Sequence, residues 1–141
     1  MRVLAVDPGE KRHGIAISDP TGTIANPLTV LDHISREQDA AAIVGLVHVH
    51  HAGLIVLGQS LDDEGRSTLQ SRRASRLANT IRSQTEVPVE LWDETGSTQA
   101  AREARIAMGA PRRKRGGHLD DIAATYILQT YLDSHQDDIP S

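Results

Sequence analysis

The spacing of the apolar runs changes partway along this chain, and that change limits the available folds more than any other feature. "RVLAVD" (residues 2–7), "GIAISD" (14–19) and "PLTVL" (27–31) are strand-length and separated by short segments containing Pro and Gly. Linkers that short cannot carry a crossover, so these three strands should pair antiparallel, as hairpins. From Ser35 onward, strand-length runs alternate with helix-length ones. Ser35 with Gln38 opens a helix carrying Ile43, Val44 and Val47 and stopping at Gly53, followed by the strand "LIVLG" (54–58). "RSTLQSRRASRLANTIRSQ" is a second helix and "VPVELW" (87–92) a further strand. A helical crossover makes the strands it joins parallel. The pattern predicts an α/β fold: a mixed five-stranded sheet, first three strands antiparallel, with helices on both faces. Beyond it, Ser97 or Thr98 can cap a helix ending at Met108 and Gly109, "APRRKRGG" reads as a mobile basic loop, and "LDDIAATYILQTYLDS" as a final amphipathic helix. Residues 1–135 are expected to form one domain and 136–141 a frayed tail.

Composition narrows the class. The 141 residues suffice for a core without staples, and with no cysteine there is neither a disulfide framework nor a thiolate zinc site, which fits a reducing compartment. No apolar run approaches the roughly 20 residues of a membrane span, and the first residues enter a strand rather than a signal peptide. The expectation is a cytoplasmic protein, as monomer or homodimer. A formal net charge of -4 argues against a basic coat over the whole surface. It conceals two basic runs, however: Arg112, Arg113, Lys114 and Arg115, and Arg66, Arg72, Arg73, Arg76 and Arg82.

Acidic residues stand where apolar strands end. Asp7 closes the first run, Asp93-Glu94 follows "VPVELW", and Asp120-Asp121 opens the last helix. With the first strand central, these positions converge at one end of the sheet, the end at which open α/β sheets bind ligands. Converging carboxylates repel unless a hard cation lies among them, and Mg²⁺ or Mn²⁺ takes such oxygen ligands. Each position also has a plainer reading: Asp7 before Pro8-Gly9 can start a turn, Asp120 can cap a helix, and Asp93-Glu94 can be a solvated loop.

These stretches resemble, in order and spacing, the YqgF-type pre-16S rRNA nucleases, also called Holliday-junction-resolvase-like proteins. In "AVDPGEKRHGIAISD", Asp7, Gly9, Lys11, Arg12, Gly14 and Asp19 fall in register with the family's first hairpin. "LIVLGQSLDDEGRST", "LWDETGST" and "LDDIAATYILQTYL" are similar to its later motifs, so the likeness covers nearly the whole chain. It implies a ribonuclease H-like fold and a metal-dependent nuclease acting on precursor 16S rRNA, on structured DNA, or within ribosomal precursor particles. It also implies that Asp7, Glu94 and Asp120 are the catalytic and metal-holding acids, with Asp121 adjacent. Two departures bear on substrate positioning: Thr95 stands where the family usually has arginine, and Ser60 where proline is common.

Nucleic acid would be gripped by Lys11 and Arg12 beside Asp7, by Arg72, Arg73 and Arg76 on a helix, and by the 112–115 run as a flexible arm ordering on the substrate. With one Trp (Trp92) and two Tyr (Tyr126, Tyr131), backbone recognition fits better than base stacking. His48, His50 and His51 lie where a helix dipole favours them, and His118 is near enough to Asp120 to touch substrate or to be a plain loop residue. A catalytically weak RNA- or DNA-binding factor of the same fold, or a resolvase acting on DNA junctions, is the alternative. An ATP-binding fold of the sugar-kinase type needs two large lobes, for which the chain is too short.

Overall fold

In the computed structural model, residues 1–93 and 112–136 are described, with side chains at 1–93 and 122–136. The strands are β1 (Arg2–Asp7), β2 (Arg12–Ser18), β3 (Ala25–Asp32), β4 (Ala52–Gln59) and β5 (Val89–Asp93). The helices are α1 (Arg36–His50), α2 (Leu69–Arg82) and α3 (Arg112–Ser134). They build one five-stranded sheet of order β3-β2-β1-β4-β5. β1 pairs antiparallel with β2 and parallel with β4, β2 is antiparallel to β3, and β4 is parallel to β5. The predicted mixed sheet with β1 at its centre is thus the observed one.

Strand alternation divides the core between two faces. Leu4 and Val6 of β1, with Ile15 and Ile17, belong to a buried cluster that includes Ile43 and Val47 of α1 and Leu77 and Ile81 of α2. Val3, Ala5, Ala16 and Val56 belong to the other, with Ala124, Leu128, Tyr131 and Leu132 of α3. Because β1 is apolar at both parities, it can be covered on both sides, which is what a central strand requires.

Local signals set most of the boundaries. Ser35 caps α1 by accepting the Gln38 N–H at 3.1 Å. Thr68 caps α2 in a reciprocal box: its hydroxyl accepts the Ser71 N–H at 3.0 Å, and Ser71 Oγ accepts the Thr68 N–H at 2.8 Å. Three boundaries differ from expectation. The stop of α1 is His51, left-handed at φ 56°, rather than Gly53. Gly53 lies instead within β4, where an added Cβ would meet the Met1 side chain at 2.7 Å.

The second difference is larger. The run Arg112–Arg115 is not a loop but the first turn of α3, which continues through Gly116, Gly117 and His118. Asp120 and Asp121 therefore sit within the helix and do not cap it. Arg and Lys are good helix formers, each Gly costs only about 1 kcal/mol, and the packed stretch from Ala123 onward supplies the nucleus that the upstream turns extend. Third, Gln136 does not fray: its amide donates to Leu132 O at 2.6 Å and to Gly22 O at 3.4 Å. The predicted helix at 97–108 and the residues beyond 136 lie outside the described residues.

Candidate active site

The parallel strands β1, β4 and β5 finish together at what we term the carboxyl end of the sheet. Register places Val6 beside Leu57, Gly58 beside Trp92, and Gln59 beside Asp93. Asp7, half-buried, is the last residue of β1, and exposed Asp93 the last of β5. Helix α3 reaches the same end. Its C-terminal part is tied to the opposite, amino end, where Gln129 accepts the Ala25 N–H at 2.9 Å and Gln136 holds Gly22. Further up, Ile127 lies over Gly58, where an added Cβ would come within 2.5 Å of Ile127 Cδ1. Asp120, seven residues earlier, has its backbone about 10 Å farther along the helix axis, towards and past the carboxyl end.

Two of the predicted acidic positions, Asp7 and Asp120, are therefore carried on elements that meet there. Glu94 and Thr95 lie outside the described residues, and of Asp120, Asp121 and the 112–115 run only the helical backbone is described. Carboxylate oxygens at convergent strand and helix positions are the donor type that Mg²⁺ or Mn²⁺ takes, so Asp7 fits such an ion.

The basic candidates separate by position. Lys11 and Arg12 are exposed on the β1–β2 hairpin, directly after the Asp7-Pro8-Gly9 turn. Gly9 cannot be replaced there: an added Cβ would lie 2.2 Å from Arg12 O. Arg72 is exposed, whereas Arg73 and Arg76 line a cavity. Arg66 is engaged by Asp62 at 2.9 Å and by Glu64 at 3.1 Å. Arg82 ties α2 to β5 by donating to Val89 O at 2.8 Å. Ser60 is held through its backbone, its N–H donating to Gln70 Oε1 at 2.6 Å and its carbonyl accepting from Thr68 at 2.5 Å.

That cavity, about 360 Å³, is a feature the sequence did not disclose. It opens between the hairpin, the start of α1 and α2, and at its base lies Asp39, 3% exposed. Asp39 Oδ2 accepts from His13 Nε2 at 2.7 Å and from His33 Nδ1 at 2.5 Å, and Oδ1 accepts the Ile34 N–H at 2.9 Å. Burial alone would raise this carboxyl, but the hydrogen bonds from His33, Ile34 and His13 hold it below the usual carboxylate range.

The ligand atoms of His13, His33 and Asp39 lie within 4.8 Å of one another, a grouping that could hold a metal. The hydrogen bonding argues for another role. Gly9 N–H donates to His13 Nδ1 at 3.3 Å, which leaves the imidazole proton on Nε2, facing Asp39. A metal on Nε2 would move that proton to Nδ1, against the Gly9 N–H. The trio is a hydrogen-bonded hub joining hairpin, β3–α1 turn and helix. The one trace of it in the sequence is His13, a polar residue within an otherwise buried strand.

A mixed sheet of this order, with an aspartate closing its central strand at the ligand-binding end, defines a ribonuclease H-like fold of the resolvase type. The structure of Thermus thermophilus RuvC in complex with Holliday junction substrate matches with a TM-score of 0.61 over 99% of this chain and 98% of that one, at 15% identity. The fowlpox virus Holliday junction resolvase matches at 0.60, over 95% and 99%, with 19% identity. At such identities the likeness concerns the fold alone. The family profile described as "RuvX: Holliday junction resolvase" matches residues 1–134, and the chain belongs to that family. Among curated relatives, "Putative pre-16S rRNA nuclease" of Syntrophus aciditrophicus is 39% identical over the whole chain and 95% of its own length. The protein of the same name from Clostridium acetobutylicum is 34% identical over 95% of this chain and 99% of its own.

Proposed function

We propose that this protein is a divalent-metal-dependent nuclease that hydrolyses phosphodiester bonds at the carboxyl end of its sheet, in the processing of precursor 16S rRNA in the cytoplasm. The observation that carries this reading is Asp7 at the end of the central strand, within a match to the nuclease family that spans residues 1–134. Asp7, with Glu94, Asp120 and the adjacent Asp121, would hold Mg²⁺ or Mn²⁺. Bound there, the ion would supply an activated water and stabilise charge on the phosphoryl and leaving oxygens.

The other residues position the strand. Lys11 and Arg12, one turn from Asp7, draw a phosphate towards the acids. Arg72, Arg73 and Arg76 extend the track along α2, and Arg112, Arg113, Lys114 and Arg115 extend it along the start of α3.

The substrate is tested by offering a precursor rRNA fragment and a four-way DNA junction with Mg²⁺ or Mn²⁺. Cleavage of the RNA, abolished by chelator, is the expected result. Selective cleavage of the junction would move the function to DNA resolution, which the family's description names, and binding without cleavage of either would replace the nuclease with a nucleic-acid-binding factor.

A further inference from the structure

We propose that the cavity above Asp39 is a phosphate-binding pocket that grips one phosphodiester of the nucleic-acid strand beside the Asp7 site. The proposal rests on the nucleic-acid reading and adds a specific subsite to it. Arg36 of α1 and Arg73 and Arg76 of α2 line the pocket, and none of the three makes an ion pair among the described residues. Guanidinium groups with no ion-pair partner keep their N–H donors available to the oxygens of a phosphate.

His33 adds a directional acceptor: with its Nδ1 proton on Asp39, Nε2 carries the lone pair and can accept a hydrogen bond from a ribose hydroxyl beside the phosphate. Its Nδ1 is fixed on Asp39 Oδ2 at 2.5 Å, so Nε2, at the far side of the ring, is turned away from the buried carboxylate, and the side chain is 44% exposed at the cavity wall. Asp39 thereby acts on the substrate only through His33, and is a positioning residue. Glu10 and Glu37 also line the cavity, so the phosphate is held on its arginine side. Leu69, 62% exposed on the same wall, offers apolar surface to the adjoining sugar. Position supports the assignment to a substrate strand: Gly9, which lines the pocket, is separated from Asp7 by Pro8 alone.

The test titrates the full chain with uridylyl-uridine and, separately, with inorganic phosphate, following the His33 ring and the Arg73 and Arg76 Nε–H signals by NMR. Affinity for a labelled RNA hairpin is measured in parallel for the wild type and for the Arg73→Ala, Arg76→Ala double variant. The dinucleotide should shift all three residues more strongly than phosphate does. The double variant should bind the hairpin at least about tenfold more weakly, with a salt slope reduced by roughly one unit. His33→Ala should weaken dinucleotide binding.

No shift with either probe overturns the pocket. Shifts with phosphate alone would make it a site for a free or terminal phosphate and overturn the strand grip, as would a double variant that keeps both affinity and salt slope. If the dinucleotide shifts His33 and the hairpin is bound through Arg73 and Arg76 but not cut, the pocket stands and the nuclease reading fails; a hairpin that is not bound overturns the strand grip.

Discussion

The amino and carboxyl ends of the sheet dispose of their polar groups in opposite ways. At the amino end, Asp19 accepts hydrogen bonds from the N–H groups of Ile24, Thr21 and Thr23 and from the Thr21 hydroxyl, which hold its carboxyl far below the usual range. Ser18 Oγ accepts the Val3 N–H at 2.8 Å, the terminal amine donates to Pro20 O at 2.7 Å, and Gln129 bridges Ala25 and Thr23. At the carboxyl end, Asp7 stands half-buried at a strand terminus, and three arginines without ion pairs among the described residues line a cavity. Donors and acceptors at one end satisfy each other, whereas the other end holds charge that a ligand can complete. Structural and functional polar groups are distinguished here by whether a ligand has room to join them.

Substitutions at the two ends should therefore fail differently. The largest effect is expected for Glu94→Gln and Asp120→Asn, each lowering cleavage by roughly 10²–10³-fold, as loss of a preorganised charge at a reacting phosphate does, with the melting temperature preserved. A parallel loss of melting temperature would show these acids to be structural.

Asp39→Asn sharpens the contrast, because this carboxylate is at the functional end yet fully hydrogen-bonded. It should destabilise the fold by about 1–3 kcal/mol at neutral pH, measured by urea unfolding. Because the folded-state value is depressed, its stabilisation is complete above the unfolded value of about 4 and disappears as pH falls through the folded value. The wild type should lose stability across that acid window, and the variant should show a flatter profile there.

Gly58→Ala should cost roughly 1–3 kcal/mol by driving a Cβ into fully buried Ile127. Since Ile127 sits below Asp120 on α3, cleavage should fall as well. The smallest effect is expected at the amino end: Asp19→Ala should loosen the 19–24 turn in hydrogen exchange and leave the cleavage rate unchanged. A rate loss there would dissolve the distinction between the two ends.

Much of this was legible in the sequence, for identifiable reasons. β1 reads as central because it is apolar at both parities, and the hairpins follow from linker lengths that allow nothing else. Ser35 announces α1 because capping is a local interaction. Asp7 is conspicuous because a charge at the end of a buried run demands compensation.

What was hidden depends on contacts between distant residues. His13, His33 and Asp39 come from a strand, a turn and a helix, and Asp39 looks like any acid in a first helical turn. The arginines between 66 and 82 were readable as a basic group, but only the fold separates Arg73 and Arg76 in the cavity from Arg66 and Arg82, which have structural partners. The start of α3 was misplaced because two glycines suggest a break, whereas packing downstream carries the helix through them.

The central claim is that the carboxyl end of the sheet is a metal-dependent hydrolytic site organised by Asp7. Its most direct test is Asp7→Asn, which keeps the shape of the side chain and removes its charge, assayed for Mn²⁺-dependent cleavage of precursor rRNA and of a four-way junction beside the wild type. Loss of cleavage with unchanged melting temperature and unchanged nucleic-acid affinity is the predicted result. Wild-type cleavage by the Asn variant would contradict the account.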